Sequence, residues 1–206
     1  MNDFLDITMN FFKDMLTYSM IAIFLENTIF SRALGTSTSL FVVRKNFSVF
    51  LFGLVMTLII TVSSLVAYII NPLVQNMENK YYVAPAIYVA VIGMVYILFL
   101  LGTSKFIKKR KEEILSMIHV SAFNCAVLGA LLLSTNKSEM TLGGFLGFGI
   151  GTGIGFTVAT YFVGLAYEKL SGDEVPYAFR GFPITLIYIG IVSLAVYGLI
   201  GHELPF

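Results

Sequence analysis

The residues of this chain with chemistry to offer stand in two short stretches, each set inside an apolar run. Phe24 to Ser37 carries Glu26, Asn27 and Arg32 and ends in Leu34-Gly35-Thr36-Ser37; Ser121 to Gly129 carries Asn124 and Cys125 and ends in Leu128-Gly129. An ionisable side chain at membrane depth is costly and marks an ion or substrate path by default, which makes Glu26 a candidate. Asparagine supplies donors and an acceptor to backbone groups freed by a helix break, so Asn27 and Asn124 are candidates beside it. Two plainer readings stand next to these: the asparagines glue helices together, and Glu26 or Arg32 sits at the membrane surface. Arg32 follows Glu26 by six positions, so the two can pair only if the helix breaks between them. Cys125 is the one cysteine; no internal disulfide can form, and a lone membrane cysteine commonly acts as a small apolar residue. His119 lies six positions before Cys125, which on a continuous helix turns it away, toward the interface beside the basic loop.

The elements that must hold these residues are set by composition. The chain has 206 residues, 57% hydrophobic and 12% charged, whereas soluble domains carry about 25% charged residues. Such a deficit cannot cover a globular surface with polar groups, so part of the solvent is lipid. A net charge of +1 gives no bulk basicity for nucleic acid. No basic stretch precedes the first apolar run, so the sequence predicts no cleavable leader. Six segments approach the roughly 20 apolar residues a crossing helix needs: about 7–31, 47–70, 82–104, 114–133, 142–167 and 182–200. The second is predicted to stop at Asn71-Pro72. Tyr81 and Tyr82 open the third as an interfacial aromatic pair. The fourth is broken by Ser121, Asn124 and Gly129, and Pro183 stands in the first turn of the sixth.

Orientation follows from the basic residues. The first, third and fifth loops hold Arg44, Lys45, Lys105, Lys108, Lys109, Arg110, Lys111, Lys169 and Arg180, against Lys13, Lys80 and Lys137 in the N-terminal segment and the other two loops. Nine against three places the odd loops in the cytoplasm and both termini outside. The run Lys105 to Lys111 could alternatively meet an anionic partner or lipid. The expected fold is therefore an all-α membrane protein in one domain, residues 1–206. Six transmembrane helices form two inverted three-helix repeats, about 1–105 and 106–206, whose first helices (the first and fourth of the chain) are broken. Broken helices in corresponding positions of two halves point to a site at the midplane, formed here by Glu26, Asn27, Gly35, Asn124 and Gly129.

The fifth segment carries Gly143, Gly144, Gly147, Gly149, Gly151, Gly153 and Gly155. Gly143 to Gly147 and Gly151 to Gly155 are GxxxG frames, which bring helices close. No soluble strand precedes them, so they do not read as a nucleotide loop.

The stretch Asn124-Cys125-Ala126-Val127-Leu128-Gly129 resembles the signature of the Rnf/Nqr membrane subunits. Val175-Pro176-Tyr177-Ala178-Phe179-Arg180-Gly181 resembles that family's VPxxFRG segment, and Glu26-Asn27 through Leu34-Gly35 its first broken helix. The similarity spans essentially the whole chain, and the outside termini resemble the RnfA/NqrE orientation. The resemblance implies a subunit of an ion-translocating oxidoreductase, in which intramembrane electron transfer is coupled to Na+ or H+ movement. Two such subunits pair, each lending one cysteine from each broken helix to an iron–sulfur cluster. Cys125 matches the second of these cysteines, but Ser37 stands where the first is expected. One thiolate per chain leaves the usual four-thiolate set short, so the chain alone is expected to carry no stable cluster. The implied partners are a homologous subunit or a second copy, further oxidoreductase subunits and membrane lipid. Two other readings use the same scaffold, a cofactor-free transporter and a structural partner of a cluster-bearing subunit.

Overall fold

A computed structural model describes residues 2–45, 47–106, 110–136, 140–172 and 175–200. The helices are α1 (Asn2–Met20), α2 (Thr36–Arg44), α3 (Val49–Gln75), α4 (Lys80–Phe106), α5 (Lys111–Ala122), α6 (Cys125–Thr135), α7 (Leu142–Leu170) and α8 (Phe182–Ile200). There is no strand among the described residues. Lys108 and Lys109 of the basic run between Lys105 and Lys111, together with Lys137, lie outside them.

Helices α3, α4 and α7 are long and apolar enough to cross a membrane, and the pair α5 and α6, bent by 48°, makes a fourth crossing if taken as one span. A 27-residue helix is about 40 Å long, more than the roughly 30 Å of bilayer hydrocarbon. Helix α8 is apolar but shorter. Helix α1 carries Asp6, Lys13 and Asp14.

The helix starts are legible in their caps. The hydroxyl of Ser48 accepts from the N–H of Leu51 at 3.4 Å to open α3, and that of Thr141 accepts from Gly144 at 3.2 Å to open α7. Each satisfies one of the donors that a helix start leaves free. Thr141 also donates to Asp14 at 2.7 Å, tying the start of α7 to α1.

Helix α7 is the centre of the bundle, running along α3 on one side and α1 on the other. Its glycines permit this. A Cβ at Gly147 would collide with the carbonyl of Met15, and one at Gly151 with the backbone of Ser19. Ser19 donates its hydroxyl to the Gly147 carbonyl at 2.8 Å, a contact possible only because the backbones touch. The close packing expected of the GxxxG frames is thus present, against α1. Phe145, Phe148 and Phe156, all 1% exposed or less, fill the remaining core beside Phe52, Met56, Ile59 and Ile60 of α3.

Two expectations need correction. Helix α3 does not stop at Asn71-Pro72 but continues to Gln75. Proline deletes one backbone donor, and here it falls in the last turn, which other bonds hold. The Gln75 amide donates to Asn71 Oδ1 at 3.3 Å and to the Thr135 carbonyl of α6 at 2.8 Å. Nor is Gly129 a break. It lies inside α6, where a Cβ would collide with Leu34. The break in the fourth segment is Phe123-Asn124 alone.

Candidate functional site at two helix breaks

The first break begins as a π turn at Ile21–Leu25, closed by Glu26 N–H donating to the Ile21 carbonyl at 2.8 Å. Asn27, buried at 5% exposure, then anchors the unwound chain. Its Oδ1 accepts the N–H groups of Ile29 at 3.0 Å and Phe30 at 3.1 Å. Its Nδ2 donates to the carbonyls of Ile23 at 3.0 Å and Gly155 at 3.1 Å, the latter on α7. The asparagine thus repairs the break and also ties it to the central helix.

Glu26 and Arg32 do pair, at 3.6 Å. The turn at residues 26–32 brings them together where a continuous helix would not. The carboxylate side is 18% exposed and the guanidinium side 45%.

The chain re-enters a helix at Gly35, whose φ of 78° lies in the left-handed region. An added Cβ there would sit 2.8 Å from the Phe156 ring and 3.0 Å from Asn124 Oδ1, so glycine is required both for conformation and for space. The second break answers it. Asn124, 3% exposed, caps α6 by accepting the N–H of Ala126 at 3.1 Å, and its amide faces the Met56 sulfur at 3.8 Å. Cys125 is the first residue of α6 and is exposed. The Gly35 N–H donates to its sulfur at 3.1 Å.

The two breaks therefore meet, and Gly35, Asn124, Cys125 and Gly129 form one contact region with Leu34 and Phe156. Ser37 is exposed in the first turn of α2, at most about 7.6 Å in Cα trace from Gly35. Ser37 and Cys125 nevertheless open onto different cavities. Cys125 lines one of about 170 Å³ with Val89, Ile92 and Phe123. Ser37 lines another of about 440 Å³ with Arg44, Lys45 and Phe182. His119 bonds the Tyr96 hydroxyl at 2.7 Å, and the Tyr96 ring lies tilted by 59° with its centroid 5.0 Å from that of Phe123. It belongs to an exposed aromatic cluster on α4 and α5. No group of three or more His, Cys, Asp or Glu side chains that could hold a metal ion occurs among the described residues.

A sequence model of the Rnf-Nqr subunits, described as membrane proteins, matches residues 15–202. The chain belongs to the Rnf-Nqr family. It is a multi-pass membrane protein. Among curated relatives, an ion-translocating oxidoreductase complex subunit of Alcanivorax borkumensis is 29% identical over 184 residues, covering 87% of this chain and 93% of that protein. The corresponding subunit of Actinobacillus pleuropneumoniae serotype 5b is 27% identical over 181 residues, with 86% and 91% covered. A Na(+)-translocating ferredoxin:NAD(+) oxidoreductase complex subunit of Acetobacterium woodii is 27% identical over 187 residues, with 89% and 95% covered.

One polar cluster of this Rnf-Nqr chain is not foreshadowed by its sequence motifs. Tyr88, fully buried, donates to Asn71 Oδ1 at 3.3 Å, and Lys80 donates to Gln75 Oε1 at 3.2 Å, around a cavity of about 590 Å³. The signal available is Asn71 itself, an amide in an apolar run, which beside Pro72 reads as a helix stop.

Proposed function

We propose that this chain is a membrane subunit of an ion-translocating electron-transport complex, in which intramembrane electron transfer is coupled to Na+ or H+ movement. It would be a catalyst only within that assembly. The observation that carries this is the meeting of the two breaks at Gly35 and Cys125, in a chain whose relatives are named as subunits of such complexes. On this reading the six segments cross the membrane as two inverted repeats. The breaks lie near the midplane, the basic loops are cytoplasmic and both termini are outside. The excess of basic residues in the odd loops supports that orientation. Glu26, Asn27, Gly35, Asn124 and Gly129 line the ion path, and the Glu26–Arg32 pair supplies its charge.

Cys125, Phe123 and Val89 are exposed around one cavity. Such a surface suits a homologous subunit or a second copy of this chain laid across it. The donor set does not fit an iron–sulfur cluster of the family's kind held equally by both partners. This chain brings one thiol, and the hydroxyl of Ser37 gives a harder, far more basic ligand than a thiolate. Ser37 thereby favours a second reading, in which the chain is a structural partner that supports a redox-active neighbour.

Deleting the chain from a host that carries the complex tests the proposal. Inverted membrane vesicles should lose ion uptake driven by the complex's electron donor, and wild-type chain should restore it. Undiminished ion-coupled electron transfer without the chain overturns the proposal.

A further inference from the structure

We propose that the cavity between α2 and the start of α8 binds the phosphate of an anionic phospholipid. Ser37, Leu40, Phe41 and Arg44 recur at the spacing of one helix face. With Lys45 and Phe182 they line a space of about 440 Å³. The cavity is thus apolar along Leu40, Phe41 and Phe182 and cationic at Arg44 and Lys45.

Neither Arg44 nor Lys45 has a carboxylate within ion-pair distance among the described residues. The ammonium of Lys45 is held instead over two rings, 5.0 Å from the centroid of Phe41 and 5.8 Å from that of Phe47. A cation–π contact of this kind keeps the charge and fixes it beside the cavity that Phe41 lines. The guanidinium of Arg44 brings the planar donor fork suited to a phosphate.

Placement supplies the rest. Helix α2 has nine residues and rises about 13 Å, close to half the hydrocarbon thickness. Starting from a break near the midplane, it delivers Arg44 and Lys45 to headgroup level. A basic pocket between helices at that level suits an acidic headgroup. A free anion would leave the wall of Leu40, Phe41 and Phe182 uncovered, whereas a phospholipid fills it with acyl chain and sets its phosphate against the cations.

The inference rests on the membrane placement proposed above, but its test uses the isolated full chain, so its failure is distinct from failure of the complex-level assay. Purified protein is equilibrated in mixed micelles with dioleoylphosphatidylglycerol or dioleoylphosphatidylcholine, and retained lipid is counted by native mass spectrometry. Wild type should retain phosphatidylglycerol at least fivefold over phosphatidylcholine. Arg44→Gln with Lys45→Gln should lower that retention at least fivefold, while Lys169→Gln, which removes a charge near the end of α7, should not. Phe182→Glu gives a second route, setting a carboxylate against the phosphate, and should act in the same direction if the double variant does not fold. Equal retention of the two lipids, or variants that fold and retain phosphatidylglycerol as wild type does, overturns the proposal. So does competition by millimolar inorganic phosphate alone, which would make the site one for a free anion.

Discussion

Gly35 and Cys125, 90 positions apart, are joined by an N–H···S hydrogen bond of 3.1 Å. Each stands at the point where a broken segment resumes as a helix, so this one contact sets the two breaks against each other. It also makes the glycine answerable for the position of the sulfur, because the amide that reaches it belongs to a backbone with positive φ.

Replacing Gly35 should therefore be disruptive at a single methyl group. Gly35→Ala puts a Cβ 2.8 Å from Phe156 and 3.0 Å from Asn124 Oδ1 while keeping φ at 78°. The left-handed conformation costs an L-residue about 1–2 kcal/mol, and the crowding adds to it. Thermal unfolding in detergent should show a clear drop in Tm, with an altered rate of alkylation at Cys125 as the sulfur loses its donor. An unchanged Tm with unchanged alkylation would count against this geometry.

Asn27→Ala removes four hydrogen bonds and leaves the Gly155 carbonyl facing the first break without its partner. A buried polar group left unmade costs about 1–3 kcal/mol. Limited proteolysis between residues 26 and 35 should accelerate in this variant. Asn27→Asp keeps the acceptor for Ile29 and Phe30 but loses the donor to α7, so its effect should be intermediate. Equal resistance of wild type and Asn27→Ala would show that other contacts hold the break.

Gly147→Leu and Gly151→Leu place large side chains where Met15 and Ser19 present backbone to α7. Overpacking typically costs about 1–3 kcal/mol where neighbours can shift, and here the neighbour is backbone. Both variants should express at low yield and fail to assemble, without altering nucleotide binding. Full assembly of both would remove the packing argument for the glycine helix.

Orientation is open to labelling. In a background lacking Cys125, single cysteines at Ser138 and Lys109, both outside the described residues, should react from opposite sides. Position 138 should react from outside and position 109 from the cytoplasm. Labelling of position 109 from outside alone reverses the assignment.

Much of the site could be read from residue types. Asparagine and glycine inside an apolar run announce a break, because the bilayer offers no water to unpaired backbone. The Asn124 cap and the Asn27 anchor meet that need. Glu26 and Arg32 were legible as a pair conditional on the break. What could not be read was tertiary. Gly155 as the acceptor of Asn27, and Leu34 filling the notch at Gly129, depend on which helix lies alongside. Pro72 misled because the bonds that carry α3 past it come partly from α6.

The cluster position gives the sharpest prediction, since resemblance and residue chemistry diverge there. Ser37 and Cys125 occupy the two positions from which family members are expected to offer thiolates, and this chain offers one. Protein purified alone should contain no stoichiometric iron or acid-labile sulfide. Ser37→Cys restores the second thiol, and iron, sulfide and visible absorption should rise where a partner or second copy completes the four-thiolate set. Position 37 follows by two residues the Gly35 whose N–H reaches the Cys125 sulfur, and the two side chains open onto separate cavities. A trapped disulfide between positions 37 and 125 would show that local motion can unite them. Its absence would only weaken that proximity, because Cα atoms more than about 7 Å apart cannot be bridged without backbone movement. Stoichiometric cluster in the unmodified chain would mean that a hydroxyl, or a donor from elsewhere, completes the set, and the structural-partner reading would fall with it.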